Sequence, residues 1–344
     1  MGGGGFRSGR FCKALLAMGV FAPVLGAAAQ TPEASTPASQ TSTITVQSNL
    51  VLVPTLVQDA RGGVLYGLKA SQFVVKDNGI VQKVHMEDAA EASALSLVVL
   101  VQCSRSAAEQ GENMSGLPAM VEAMSGGAEQ ETAVVSFGTS PELLGPFTRS
   151  PDRVHDVLQQ YQPCDDDGGA SIFDAVDYAA RLLETRDPKR RRAILLISET
   201  RDHGSEIKPQ AVIARLGRSN IVVDAVAFSP GKTEVFEDLK HSDGASGGLM
   251  GLIFMAVQGV RKNAPKEFAR LSGGEYINFT TQKGFDRSLN RLANHVHNGY
   301  LLSFQPHGDT TPGLHTITVE VPDYKDTVRH RESYWYGDVP VAGK

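Results

Sequence analysis

Leu95-Ser96-Leu97-Val98-Val99-Leu100-Val101-Gln102-Cys103-Ser104-Arg105-Ser106 is the stretch that decides the fold. Residues 95–101 form an almost wholly apolar run of strand length that stops abruptly on polar residues. Such a run is buried on both faces, a situation found inside a mostly parallel sheet rather than on a half-solvated antiparallel one. Outward from it, residues 132–137, 193–198 and 221–228 read as three further buried strands. Between them lie segments of helical spacing at 116–124, 151–161, 172–183 and 210–216; Val154, Val157, Leu158 and Tyr161 share one side of the second, and Ala175, Val176, Ala179, Leu182 and Leu183 one side of the third. Short buried strands alternating with amphipathic helices predict an α/β fold, a doubly wound, mostly parallel sheet covered on both faces. Ligand sites in such sheets lie at the carboxyl ends of the strands. Here those ends run into residues 102–106, 138 onward and 199–203.

The flanks have a different texture. Residues 49–58 are rich in β-branched side chains, Arg61-Gly62-Gly63 marks a turn, 73–75 is a short strand, and Asp77-Asn78-Gly79 is a hairpin signal before a strand at 81–86. Strands return at 300–305, 315–321 and 327–336. Exposed edges at both ends would need covering, so the terminal segments are expected to pair into one β-sandwich with the α/β domain inserted between them. The expected organisation is a β segment at 44–92, the α/β domain at 93–297 and a second β segment at 298–336. Within the α/β part, residues 237–262 read as a Gly-rich loop and an apolar helix at 249–260, packed on the domain or presented to a partner. Packing is favoured because exposed apolar patches are uncommon. A last helix is expected at 284–297.

At 344 residues with 41% hydrophobic and 21% charged content, the chain can bury a full core. Arg7, Arg10 and Lys13 precede an apolar run at 14–25 and Ala27-Ala28-Ala29, the pattern of a secretory signal over 1–29. Residues 30–43, rich in Ser, Thr, Pro and Ala, read as a flexible tether. No later apolar run is long enough to span a bilayer, so the mature chain is expected to be exported, periplasmic or extracellular, with no membrane span. Loss of three basic residues and no acidic ones with the leader takes the net charge from −5 to −8, a poor balance for binding nucleic acid. The basic cluster Lys189-Arg190-Arg191-Arg192 reads as a solvated strand entrance. Cys103 and Cys164 remain after cleavage, an even count in an oxidising compartment but too few for a disulfide framework.

Three loops together carry a resemblance. Gln102-Cys103-Ser104-Arg105-Ser106 stands where von Willebrand factor type A (VWA) domains have Asp-x-Ser-x-Ser; Gly168-Gly169-Ala170-Ser171 resembles their Gly-Gly-Thr loop; and residues 193–199, ending Ser198-Glu199, are similar to their strand ending in Thr/Ser-Asp-Gly. Asn49 to Pro54, Leu68 to Asp77 and Tyr300 to Phe304 extend the likeness to a secreted subfamily, the VWFA-related acidobacterial proteins, over about residues 44–336. The resemblance implies a metal-ion-dependent adhesion site, in which hard oxygen ligands from the three loops hold Mg²⁺ or Mn²⁺ and a partner's carboxylate completes the shell.

Carried over residue by residue, Ser104 and Ser106 are retained, Gln102 replaces the first aspartate, Ala170 the threonine, and Glu199 stands for the last aspartate. With one carboxylate instead of two, charge neutralisation fails and no physiological metal is expected; Mg²⁺ or Mn²⁺ binding at Gln102, Ser104, Ser106 and Glu199 is the alternative. Ser171 and the run Asp165-Asp166-Asp167 adjoin the site and, with Asp202, are expected on the ligand-binding face. The resemblance also puts Cys103 and Cys164 on neighbouring loops. Either a disulfide pins those loops, or one is a buried strand-end cysteine and the other an unrelated thiol.

No Gly-x-Ser-x-Gly elbow, His-Glu-x-x-His or phosphate-loop motif occurs. The expected function is therefore non-enzymatic binding or adhesion to a protein or cell-surface ligand. Metal-dependent adhesion is the first alternative, and a hydrolase using Ser104 or Ser106 the alternative from another class.

Overall fold

The computed structural model describes residues 50–87, 94–104, 107, 116–124, 128–162, 164, 168–228, 248–279, 292, 299–322, 324 and 327–338. The leader, the tether and nearly all of the helix expected at 284–297 lie outside them.

Six strands make the central sheet: β5 (Leu95–Gln102), β6 (Gln130–Phe137), β7 (Pro141–Thr148), β8 (Arg191–Glu199), β9 (Ile221–Phe228) and β10 (Tyr276–Phe279), in the order β10-β9-β8-β5-β6-β7. All neighbours are parallel except β6 and β7. The period-2 alternation of β5 divides its side chains between two cores. Val98 and Leu100 pack with α3 (Ile172–Glu184), α4 (Pro209–Arg218), α5 (Gly248–Lys262) and α6 (Ala264–Ser272). Leu95, Leu97, Val99 and Val101 pack with α1 (Leu117–Ala123) and α2 (Pro151–Gln159) on the other face. This is the doubly wound α/β architecture that the buried runs predict.

Three elements were not expected from the sequence. Strand β7 holds Pro141, Gly145 and Pro146, which read as a loop but are tolerated because β7 is an edge strand, bulged against β6. A Cβ on Gly145 would lie 3.2 Å from Val157 Cγ2, so the glycine lets α2 sit close. Helix α6 is started by Asn263, whose side chain accepts from Lys266 N, and stopped by Gly273 at φ 84°. Strand β10 follows at once, because Gly274 passes so near β9 that a Cβ there would stand 2.1 Å from Val223 O.

Strands from before and after the central sheet interleave in two antiparallel sheets. One has the order β13-β1-β11-β4, the other β14-β12-β2-β3, where β1 is Val51–Gln58, β2 Val74–Asp77, β3 Ile80–Val81, β4 His85–Met86, β11 Tyr300–Phe304, β12 Gly313–Glu320, β13 Thr327–His330 and β14 Ser333–Tyr336. Val53, Val57, Val75, Leu302, Phe304, Ile317 and Val319 from both sheets share one core, so the pair is a β-sandwich. The strands expected at 81–86 and 327–336 are each broken in two. The chain crosses from one sheet to the other at Gln82, which bonds to His307, and at Arg331, which is buried. Inside the sandwich, Asp77 accepts from the Tyr334 hydroxyl at 2.7 Å and lies 2.8 Å from His315 Nδ1, while His315 Nε2 meets Thr311 O.

At the lower end of the central sheet the basic cluster is not a solvated entrance. Arg190 is nearly buried, donating to Ser96 Oγ, Leu95 O and Glu129. Glu131 accepts from Ser96 and takes a two-pronged bond from Arg186, both at 2.8 Å; the Arg186 bond holds its carboxyl down to about 2. A depressed folded value gives stability that is present above the unfolded value of 4.5 and lost as pH falls through the folded value, so acid unfolding should draw on Glu131 between about 4.5 and 2. Arg186→Met is expected to move the acid midpoint up, read by circular dichroism from pH 7 to 2. An unchanged midpoint would refute the assignment.

Candidate functional site

The carboxyl ends of β5, β6 and β8 lie side by side, with Gln102 in register with Phe137 and Val101 with Ile197. Gln102 is fully buried, and its carboxamide ties two loops together. Its Oε1 accepts from Glu199 N at 2.9 Å and its Nε2 donates to Ser104 Oγ at 2.5 Å. Because the Glu199 N–H needs an acceptor, the amide is oriented with its NH2 toward the serine. An aspartate there, acceptor only, could reach Ser104 only by taking the hydroxyl proton, so Gln102 alone leaves that proton to be donated elsewhere. The Gln102 carbonyl receives the Tyr161 hydroxyl at 2.5 Å, and burial pushes that phenol above its ordinary value.

Beside Gln102 the structure joins Cys103 and Cys164 in a disulfide with Cα atoms 5.1 Å apart. The backbone reinforces it: Cys164 N donates to Cys103 O, and Cys103 N to Phe137 O, each at 2.8 Å. The first loop is thus held to β6, to the residue 164 loop and to β8 by bonds internal to the protein.

The second loop is closed in a similar way. Ala170 exchanges backbone hydrogen bonds with His203. Ser171 is fully buried; its N donates to Gly138 O and its hydroxyl to Thr139 O at 2.9 Å. Ser171 is therefore spent on holding the loop and does not face a partner. Asp202 accepts from Phe173 N and from Ser205 Oγ, capping the start of α3, while Asp174 accepts from Glu206 N and Ile207 N in return. Glu199 is largely buried, 3.7 Å from Nε2 of the exposed His203. Ser106, Asp165, Asp166 and Asp167 lie outside the described residues.

A divalent cation wants several converging hard oxygens and carboxylate charge. Gln102 has both carboxamide atoms engaged, Ala170 has no side-chain oxygen, Ser171 points its proton at a carbonyl, and Glu199 is left as the one carboxylate of the expected set. Among the described residues no three His, Cys, Asp or Glu side chains gather. The described members of this donor set do not by themselves fit a divalent ion.

Tyr161 was not picked out as a site residue by sequence, whereas His203 fell within the strand end at 199–203 where the site was sought, without a role. Tyr161 read as part of an apolar helix side, although a buried Tyr hydroxyl seeks a partner and so signals a polar contact. His203 is placed by a backbone bridge that leaves no local pattern.

A doubly wound sheet with three such loops at its carboxyl edge defines the class, and sequence comparison gives the family of that part: residues 97–201 match the family model of the von Willebrand factor type A domain. The chain therefore carries a VWA domain, of which β5 to β8 form the matched span. No curated protein matches the sequence. Among solved structures it is similar to an aerotolerance-related membrane protein from Bacteroides fragilis, at 18% identity over 58% of this chain and 98% of that one, with a TM-score of 0.40. BatB from Bacteroides thetaiotaomicron gives 14% identity, 58% and 99% coverage and a TM-score of 0.39. Proximal thread matrix protein 1 from the mussel byssus, with a zinc-occupied MIDAS motif, gives 11% identity over 66% of this chain and 50% of that one, with a TM-score of 0.44.

Proposed function

We propose that the chain is an exported, non-enzymatic binding or adhesion protein that uses the carboxyl-edge face of its VWA domain without a metal ion. The observation that carries this reading is the Gln102 carboxamide, which spans Ser104 and Glu199 N where the family resemblance implies a cation. A cation in that position both ties the loops and receives a partner's carboxylate. Hydrogen bonds and the Cys103–Cys164 disulfide replace the first role and not the second. The face then recognises a protein or cell-surface ligand by its own shape and side chains, Arg201 and His203 among them, both exposed. Residues 44–92 and 298–336 form the supporting body and 93–297 the inserted binding domain; the leader at 1–29 delivers the chain to the periplasm or beyond, as the likeness to a secreted family suggests. Hydrolysis through Ser104 has no support, since that serine is 2% exposed and its oxygen accepts from Gln102.

A photo-crosslinking residue in place of Arg201 should capture a discrete partner polypeptide in intact cells, undiminished by EDTA. The same residue in place of Thr318, on the exposed side of β12, should capture none. Capture that requires Mg²⁺, or that is equal at both positions, would overturn the reading.

A further inference from the structure

The side chain of His315 is fully buried inside the β-sandwich, and both of its ring nitrogens face acceptors. Nδ1 lies 2.8 Å from Asp77 Oδ1, and Nε2 lies 2.7 Å from the carbonyl oxygen of Thr311. A carbonyl can only accept, so Nε2 carries a proton. Asp77 takes the Tyr334 hydroxyl on its other oxygen at 2.7 Å, as an ionised carboxylate does, so Nδ1 carries a proton as well and the ring is an imidazolium. The groups that bear on it are Asp77 on β2, Tyr334 and Tyr336 on β14, and Asp309 in the loop before β12. Leu314 and Trp335, one residue along on each strand, face the helices of the VWA domain instead, and the facing sheet covers Tyr334 with the apolar ring of Phe304.

Thr311 belongs to a largely exposed loop, residues 305–312, that carries the chain from β11 in one sheet to β12 in the other. Side chains fasten this loop along its length: Gln82 exchanges two bonds with His307, Asn78 donates to Asp309 at 2.8 Å, and His315 donates to Thr311. Of these, the last depends on a proton that a histidine gives up near neutral pH. We infer that His315 is a pH-sensitive catch, which as an imidazolium fastens the 305–312 loop to the sandwich and on losing a proton releases it. The proton that remains stays on Nδ1 beside the Asp77 charge, and Nε2 then turns a lone pair toward Thr311 O. The end of the loop loses its donor and meets a repulsion instead. Burial lowers the His315 pKa, but the bonds to Asp77 and Thr311 outweigh it and hold the value above the ordinary 6.5. A raised folded value gives stability that is complete below 6.5 and lost as pH rises through the folded value, so the catch is closed in acid and opens on the alkaline side.

Nitrogen NMR of the full chain with isotope-labelled histidine tests this without any substitution. In mild acid both His315 nitrogens should show the shifts of a protonated ring, and the ring should titrate above 6.5. Between about pH 6 and about pH 10 the protection of the His307 and Thr311 amides against hydrogen exchange, corrected for intrinsic rates, should fall at least ~10-fold while that of the Ile317 amide in β12 holds. His315→Gln should abolish that step, and Asp77→Asn should move the His315 titration down. A neutral ring in mild acid, a titration at or below 6.5, loop protection indifferent to pH, or a step that survives in His315→Gln would each overturn the inference.

Discussion

Arg331→Met is expected to lower the stability of the folded chain by about 3 kcal/mol, the largest loss from a single substitution in the sandwich, because it strands several buried acceptors at once. Arg331 sits between β13 and β14, where the chain passes from one sheet to the other, and is among the largest fully buried side chains. Its guanidinium donates to Ser333 O at 2.7 Å, Leu52 O at 3.0 Å, Asn220 Oδ1 at 2.6 Å and Gly217 O at 2.5 Å. Those four acceptors come from both ends of the sandwich and from the end of α4, so one side chain ties the two halves of the β body to the VWA domain. Burial lowers its pKa to about 10, which still leaves it charged at neutral pH, and the carbonyl end of α4 supplies a compensating negative potential. Methionine fills much of the same space but can donate to none of these oxygens. Urea unfolding would read the loss. A change below about 1 kcal/mol would mean that the acceptors find other donors and that Arg331 is not the tie.

Cys103→Ser with Cys164→Ser is expected to cost about 2–4 kcal/mol, because the bridge closes a loop with a sequence separation of 61 and removes that much freedom from the unfolded chain. The backbone bonds from Cys164 N to Cys103 O and from Cys103 N to Phe137 O remain available, so the variant should fold. The control is reduction: dithiothreitol should lower the unfolding midpoint of the wild type toward that of the double variant and leave the double variant unchanged. Equal midpoints for all four samples would show that the bridge contributes nothing.

Much of the architecture was legible because hydrophobic period is a local property. The buried run at 95–101 and its counterparts were visible as strands of a covered parallel sheet, and Asn78-Gly79 as a tight hairpin, at φ 45° and 84°. Edge strand β7 was hidden by its prolines, and the breaks at Gln82 and Arg331 were hidden because their partners are distant in sequence, His307 for the first and Leu52, Gly217 and Asn220 for the second. At the candidate site, the loop positions were readable from motif spacing, and so was the chemical loss at Gln102 and Ala170. What Gln102 does instead was not readable. Its partners stand at Ser104, two residues on, and at Glu199, 97 residues on, and only the folded sheet brings the second within reach. Ser171 and Asp202 had the right residue types for a binding face, yet both are engaged in holding the turn into α3, a role that depends on Thr139 O and Phe173 N.

On the proposed function, hydrogen bonds and a disulfide tie the loops of this face that a cation ties in the family it resembles. Thermal unfolding with and without millimolar Mg²⁺, Mn²⁺ or Ca²⁺ tests it most directly, since any ion that binds only the folded state must raise its stability. The prediction is an unfolding midpoint indifferent to all three ions. A midpoint that rises with one of them, and no longer does so after Glu199→Gln, would contradict the account and return the face to metal-dependent adhesion.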